Sequence, residues 1–142
     1  MSENIQAENP PFFVRMFKPQ FATLVESGEK LQTVRPTPKR MPQTGDMISL
    51  RAWEGKPYRS KQRTLREAVI IRVRKIMIDV QTLEIDGKRI DCVQRDQFAI
   101  ADGFRCWPEM LEWFEETHGL PFDGIVIHWS NNKVADPEDS AH

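Results

Sequence analysis

One short segment, residues 28–35, combines residue types that could carry out chemistry on a polar ligand. Lys30, Thr33 and Arg35 follow Gly28 within it. A neutral lysine can act as a nucleophile or base, whereas a charged lysine binds an anionic group. A lysine becomes neutral near neutral pH when it is buried or lies beside another cation, and Arg35 could supply that cation. The pattern alone also fits a solvated turn that carries ordinary surface charges.

The position of Lys30 relative to the turn decides whether this segment can form one site. In a regular strand, Lys30 and Thr33 point to opposite faces. They converge only if Lys30 still belongs to the turn that Gly28 makes at the end of a helix. We expect Lys30 to lie outside the hydrophobic core, so its replacement should leave the fold intact.

A second segment, residues 54–66, is too polar for a core element and is predicted to be an exposed loop. Two aromatic residues and four cations are interleaved in this segment and just before it: Trp53, Lys56, Tyr58, Arg59, Lys61 and Arg63. Proteins combine aromatic stacking with phosphate contacts to hold single-stranded nucleic acid without strong sequence preference. The alternative is a flexible charged loop with Trp53 packed in the core.

Charge is divided unevenly along the 142-residue chain, although its formal net charge is only −1. Residues 30–75 contain 13 Lys and Arg against three Asp and Glu, whereas residues 76–142 contain five against 14. A segregated basic block suits a polyanionic partner. The other interpretation is that the acidic half folds against the basic half and neutralises it.

The composition argues against several classes of protein. With 39% hydrophobic and 29% charged residues, the chain is typical of a globular domain, and no run approaches the ~18 apolar residues of a membrane span. The polar, acidic N-terminus is unlike a secretory signal, so we expect a cytoplasmic protein with no membrane partner. The two cysteines and three histidines lack metal-ligand spacing, which predicts free thiols, no metal and no cofactor. The oligomeric state is left open.

Hydrophobic periodicity and turn residues predict the elements that position these side chains. The first helix should begin at Pro19 and end at Gly28. Asp86-Gly87 is a type I′ hairpin signal, and a change of apolar parity at Lys75 predicts either a bulge or a change of exposed face there. The predicted helices cover residues 19–27, 94–102 and 107–118, and the predicted strands cover residues 12–16, 30–35, 46–53, 67–80 and 124–129, with a hairpin within 83–90.

These elements lack the alternation of strand and helix that builds a parallel sheet. They predict an α+β fold, in which a mixed and mostly antiparallel β-barrel carries two or three flanking helices. The folded domain is predicted to cover residues 11–129. The polar termini, residues 1–10 and 130–142, are predicted to be disordered.

Four motifs, taken in order, resemble the ASCH domain family of the PUA-like superfamily. The first is the segment 28–35, with its glycine, lysine, threonine and arginine. Gly45-Asp46 before a strand is similar to the second motif, and residues 99–104 (AIADGF) are similar to the third. A helix containing PEMLEWF and a closing VIHW strand resemble the family's ending. The resemblance covers roughly residues 12–129 and implies a PUA-like barrel.

The resemblance also implies a set of site residues. In the family's bacterial N4-acetylcytidine amidohydrolases a lysine, a threonine and a glutamate form the site, and the motifs carry these roles to Lys30, Thr33 and Asp102. Asp102 departs from the family pattern, because an aspartate reaches about one methylene less far than a glutamate. The implied pocket lies between residues 28–35 and the Asp102-Gly103 turn, with the loop 54–66 near its mouth.

Three functions follow as alternatives. The first is binding of RNA, a nucleotide or a modified nucleoside in the pocket. The second is an amidohydrolase that removes the acyl group from an N4-acetylcytidine-like substrate, for which a base, a proton donor and a polar anchor are needed. The third is a protein-interaction module whose basic loop meets an acidic partner. The residues expected to bind the substrate are Arg35, Trp53, Lys56, Tyr58, Arg59, Lys61 and Arg63.

Overall fold

A computed structural model describes residues 12–131. Its elements in chain order are β1 (Phe12–Met16), α1 (Pro19–Ser27), β2 (Gln32–Pro36), β3 (Met47–Trp53), β4 (Gln62–Asp79), β5 (Thr82–Ile85), β6 (Lys88–Arg89), α2 (Cys92–Ala101), α3 (Trp107–Thr117) and β7 (Phe122–Trp129). The predicted disorder of residues 1–10 and of 132–142 lies outside the described residues.

The helices begin and end close to the predicted residues. Pro19 occupies the first turn of α1, and Gly28 ends this helix with a φ of 89°, a left-handed conformation that glycine adopts at little steric cost. Asp91 caps α2, because its carboxylate accepts a hydrogen bond from the main-chain N–H of Gln94 at 2.9 Å. The buried face of α3 is formed by Trp107, Met110 and Phe114, which recur at i, i+3 and i+7.

The long strand β4 organises the sheet, because its two halves pair with different strands. Its first half pairs antiparallel with β3, which pairs in parallel with β1. Its second half pairs antiparallel with β7 on one side and with β5 on the other, and β7 pairs with β2. The β5–β6 hairpin turns at Asp86 and Gly87, both with positive φ, as predicted. The described region is therefore a seven-stranded, mostly antiparallel sheet with three helices, which confirms the mixed α+β class.

The sheet does not close, so the predicted barrel is wrong. Among residues 12–131, β1 and β2 are not paired with each other, and the gap between them is here called the seam. The Met16 carbonyl at the end of β1 accepts a hydrogen bond from the Arg35 side chain at 2.8 Å. A side chain therefore bridges the two strands where a closed barrel would have a main-chain ladder.

The polar segment 54–66 is shorter as a loop than predicted, because β4 begins at Gln62. Arg66 is only 8% exposed despite its charge. Its guanidinium donates to the main-chain carbonyls of Glu26 at 3.2 Å and Asn131 at 2.8 Å. These acceptors are distant in sequence, and the polar composition of the segment does not reveal them. The sequence therefore placed the start of β4 too late.

The predicted bulge at Lys75 is also misplaced. The register between β4 and β7 shifts between Ile70 and Arg72, which leaves Ile71 as the extra residue, 52% exposed.

The hydrophobic core is built by the sheet and the helices together. Its largest fully buried side chains are Trp129, Phe114, Ile48, Leu50, Ile70, Ile78, Leu83 and Met110. None of the helices formed by residues 12–131 is both long and apolar enough to cross a membrane.

Candidate functional site

The turn after α1 brings Lys30 out of the strand. The N–H of Gly28 donates to the Val25 carbonyl at 3.2 Å, and the N–H of Lys30 donates to the Leu24 carbonyl at 2.9 Å. Lys30 therefore still belongs to the turn, since β2 begins only at Gln32. This is the condition under which Lys30 and Thr33 can face the same cavity.

Asp102 is held at the end of α2. Its main-chain N–H donates to the Phe98 carbonyl at 3.0 Å, and Gly103 follows with a φ of 103°. A Cβ at Gly103 would lie 3.0 Å from the ring of Phe21 and 3.3 Å from Cδ of Lys30. Glycine is needed here both for the backbone conformation and for the close approach of these two side chains.

Lys30 and Asp102 form a buried pair. The Lys30 Nζ lies 3.3 Å from Oδ1 of Asp102 and donates a hydrogen bond to the main-chain carbonyl of the same residue at 2.5 Å. The Gln32 side-chain amide donates to the same Oδ1 at 3.3 Å. The side chains of Lys30 and Asp102 are 3% and 5% exposed. The expectation that Lys30 lies outside the core was wrong, because the Gly28 turn directs it inward against α2.

Burial pushes both members of this pair toward their neutral forms. Desolvation lowers the pKa of Lys30, and the nearby Arg35 cation lowers it further, while Asp102 opposes the shift. Desolvation raises the pKa of Asp102, against the opposing effects of Lys30 and of the hydrogen bond from Gln32. Burial and the neighbouring Arg15 lower the pKa of Arg35 to about 10. Burial therefore brings the pKa values of Lys30 and Asp102 closer together than those of the free side chains.

Thr33 and Arg35 lie on β2 at the seam. The Arg35 Nε donates to the Thr33 hydroxyl oxygen at 3.1 Å, which leaves the hydroxyl hydrogen free to donate in turn. The Arg35 guanidinium also stacks 4.9 Å from the ring centroid of Phe17. Two hydrogen bonds and one ring contact therefore fix the guanidinium across the seam.

A cavity of about 220 Å³ contains these groups. Its polar lining includes Lys30, Thr33, Arg35 and Asp102. Three aromatic rings form an edge-packed wall, with centroid distances of 5.3 Å for Phe21–Phe104 and 5.8 Å for both Phe21–Trp113 and Phe104–Trp113. Lys30 Nζ lies 5.2 Å from the ring centroid of Phe21, so the polar and aromatic groups are in contact. A lining that combines a few polar groups with aromatic surface is typical of sites for small, flat, polar ligands.

The basic loop lies beside this cavity. The ring centroids of Trp53 and Tyr58 are 5.1 Å apart, and both residues line a second cavity of about 320 Å³. Both cavities are bounded by the segment 16–18. Trp53 is half-buried, whereas Tyr58 is 89% exposed with a φ of 65°.

The four predicted loop cations differ in their surroundings. Lys56, Arg59, Lys61 and Arg63 are all exposed, and Arg63 also pairs with Glu26 at 3.0 Å. All four cations are therefore open to solvent, and one of them ties the start of β4 to α1.

Several residues of this site were not singled out from the sequence as functional. They are Phe17, Phe21, Gln32, Phe104 and Trp113. The position of Gln32, two residues after Lys30, is a signal that could have been used. The aromatic wall could not be found this way, because its rings come from three separate segments and look like ordinary core residues. Among residues 12–131 no three His, Cys, Asp or Glu side chains are grouped to hold a metal.

Comparison with known proteins supports a fold but no closer relationship. No protein-family model and no curated protein matches the chain. The crystal structure of an ASCH domain from Lactobacillus crispatus is similar, with a TM-score of 0.52 over 92% of this chain and 85% of that one. Sequence identity between the two is 18%. The chain therefore has the fold of an ASCH domain, as the ordered motifs predicted.

Proposed function

We propose that the cavity binds a modified nucleoside or a nucleotide of RNA. The observation that carries this proposal is a cavity of about 220 Å³ lined by both the buried Lys30–Asp102 pair and a cluster of aromatic rings. The rings offer faces against which a base can stack, and the polar groups can orient its substituents. A buried ion pair costs desolvation energy, so its retention beside a cavity favours a role in binding or chemistry.

The basic loop supports RNA as the larger ligand. Tyr58 and Trp53 line the cavity that adjoins the one containing the Lys30–Asp102 pair. Lys56, Arg59 and Lys61, in the same loop, are exposed. A strand whose target nucleotide occupied the inner cavity could place its next base against these rings and its phosphates near the cations.

A second candidate function, amide hydrolysis at N4 of an acylated cytidine, is favoured by the position of Lys30 Nζ, 3.3 Å from Oδ1 of Asp102 in a cavity that Thr33 also lines. A neutral Lys30 would take a proton from a water molecule that attacks the acyl carbonyl. A protonated Asp102 would give its proton to N4 as the C–N bond breaks. The Thr33 hydroxyl would donate to the carbonyl oxygen. Water and N4-acetylcytidine would thus yield cytidine and acetate.

Two measurements on the purified protein test these functions. Calorimetric titration with cytidine, N4-acetylcytidine and a short single-stranded RNA measures binding, and chromatography after incubation with N4-acetylcytidine detects cytidine. Binding without turnover supports the first function, and turnover supports the second. If neither binding nor turnover is detected, the proposed site is refuted.

A further inference from the structure

The free edge of β2 carries unpaired main-chain groups. Trp129 donates its N–H to the Leu31 carbonyl at 3.1 Å. Hydrogen-bonded and non-hydrogen-bonded residues alternate along an antiparallel pair, so Thr33 and Arg35 direct their main-chain groups toward β7. Val34, between them, directs its N–H and C=O away from β7.

The proline at the end of β2 supports this assignment. Pro36 has the same parity as Val34 and pairs with Gly124. A proline has no N–H, so it fits an edge position whose main-chain nitrogen faces away from the neighbouring strand. The opposite assignment would require Pro36 to donate a hydrogen bond to β7.

The main chain of Val34 therefore faces the seam, where the cavity lies. Val34 lines that cavity and is 6% exposed. Within residues 12–131, neither its N–H nor its C=O is paired with another protein group. Buried main-chain donors and acceptors are almost always paired, so Val34 has an unmet demand for one acceptor and one donor.

The shape of this edge defines the ligand group that would satisfy it. In an extended strand the N–H and C=O of one residue point the same way, so they pair with an acceptor and a donor that are adjacent in the ligand. A peptide strand lying along β2 would have to cross the Arg35 bridge to Met16 and would find no donor at Pro36. A nucleobase needs only one residue.

We propose that the main chain of Val34 reads a nucleobase edge that presents a ring-nitrogen acceptor next to an exocyclic N–H donor, its N–H donating to the ring nitrogen and its C=O accepting from the amino group. Cytosine presents this pair at N3 and N4, and adenine at N1 and N6. This inference rests on the proposed nucleoside-binding function and adds base specificity to it. Acylation of N4 leaves one N–H at that nitrogen, so N4-acetylcytidine keeps both groups. Uridine presents a donor at N3 and an acceptor at O4 and would be rejected.

The ligand side of the test uses wild-type protein. Titration with cytidine, 3-deazacytidine and uridine should give the tightest binding for cytidine, and affinities about tenfold weaker or worse for the other two, each of which loses at least one bond. Equal affinities would overturn base reading while leaving nucleoside binding intact. No binding of cytidine or N4-acetylcytidine would refute the proposed function, and this inference with it.

The protein side uses a proline substitution that removes one donor. Val34→Pro deletes the N–H that faces the seam without removing a ladder bond to β7, whereas Val34→Ala keeps this N–H. Val34→Pro should bind cytidine about tenfold more weakly than Val34→Ala. Equal binding by two folded variants would contradict the proposal.

A measurement on wild-type protein remains decisive if Val34→Pro does not fold. The Val34 amide proton should exchange with solvent faster than those of Thr33 and Arg35 in the free protein, and saturation with cytidine should slow it at least tenfold. A Val34 amide whose exchange and chemical shift are unchanged in saturating cytidine would overturn the inference.

Discussion

The charge states of Lys30 and Asp102 depend on each other, because neither side chain has appreciable contact with solvent. An unpaired charge in a protein interior costs several kcal/mol. The pair is therefore stable as two opposite charges or as two neutral groups, and removing one member changes the state of the other. This dependence gives the site a measurable signature that does not require a known ligand.

Removing Lys30 should make stability depend on pH through Asp102. In Lys30→Met, Asp102 loses its counter-charge, so its folded pKa stays raised by burial. A raised folded pKa means that stability is fully present below the unfolded pKa near 3.8 and is lost as pH rises through the folded value. At pH 7 we expect a loss of about 3 kcal/mol. Urea unfolding at pH 4 and pH 7 measures this.

The double variant Lys30→Met/Asp102→Asn is the matched control. It removes the titrating group and should regain most of the stability at pH 7, with little difference between the two pH values. A single variant whose stability shows no more pH dependence than the double variant would show that Asp102 is hydrated or otherwise compensated.

The length of the carboxylate side chain at position 102 should determine turnover if the cavity is catalytic. Asp102→Asn should nearly abolish release of cytidine from N4-acetylcytidine, because the amide cannot supply the titrating proton. Asp102→Glu should raise the rate, because the longer side chain reaches farther toward the substrate. The added methylene costs ~1–3 kcal/mol of stability in a packed site, so rates are compared below the melting temperature of each variant.

A binding-only site gives a different pattern. None of these variants then releases cytidine, and Lys30→Met weakens nucleoside binding by ~1–3 kcal/mol through loss of a charged hydrogen bond. If Asp102→Glu and Asp102→Asn both turned over as fast as the wild type, Asp102 would have no role in chemistry.

The helices and turns could be predicted from sequence because their signals are local. Pro19 and Gly28 bracket α1, and Asp86-Gly87 forms the hairpin, each through the φ values that these residues prefer. The start of β4 and the open seam could not be predicted, because they depend on distant partners. Arg66 is buried by carbonyls of other elements, and no local pattern encodes this.

The candidate site was predictable in part for the same reason. The motifs pointed to Lys30, Thr33 and Asp102, and the structure places all three around one cavity. Whether Lys30 faced Thr33 could not be decided from strand periodicity, since the answer depends on where the turn after Gly28 ends. The wall facing them is assembled from helices and loops separated by many residues.

Gly28 should be intolerant of any side chain, because it combines positive φ with crowding. A Cβ there would lie 2.7 Å from Oδ1 of Asn131 and 3.2 Å from the Arg66 guanidinium. Gly28→Ala should cost ~1–2 kcal/mol for the left-handed conformation and further stability for displacing these groups. It should also weaken nucleoside binding, because the same turn carries Lys30.

Gly87→Ala is the control for Gly28→Ala. Gly87 has a φ of 81°, and nothing lies within 4 Å of a Cβ built there. Thermal unfolding should show the conformational cost alone in Gly87→Ala and a larger loss in Gly28→Ala. Equal losses would mean that Asn131 and Arg66 move aside freely.

Few direct ion pairs join the basic and acidic parts of the chain. Among residues 12–131, Lys30–Asp102 links residues 30–75 to residues 76–142, whereas Arg63 pairs with Glu26 in the N-terminal part and Arg105–Glu109 is local. Contact with the acidic half therefore does not account for the cations of the loop. Their exposure favours a polyanionic partner.

Removal of the loop cations should weaken RNA binding and its dependence on salt. The variant replaces Lys56, Arg59, Lys61 and Arg63 with serine. For a single strand, each cation that no longer neutralises a phosphate reduces the slope of log affinity against log salt by about 0.7, so the slope should flatten by up to ~3. Titrations of a labelled single-stranded RNA at several salt concentrations measure this.

A variant with the same charge change elsewhere is the control for the loop variant. Arg72, Lys75, Lys88 and Arg89 are exposed and lie away from the loop, along β4 and in the β5–β6 hairpin. Their replacement with serine should lower RNA affinity less and leave more of the salt slope. Equal effects would indicate a general charge effect, and unchanged affinity in the loop variant would show that the loop is only solvated.

The seam gives the binding site a way to change its width. In a closed barrel, every increase in girth must break main-chain bonds along an entire strand pair. Here β1 belongs to one arm of the sheet and β2 to the other, and the Arg35–Met16 hydrogen bond spans them. Parting the arms would require release of this side-chain hydrogen bond, worth about 1 kcal/mol, and of the packing of Arg35 on Phe17, while the ladders on either side stayed intact. Arg35 is thus the contact that would have to open for the cavity to widen.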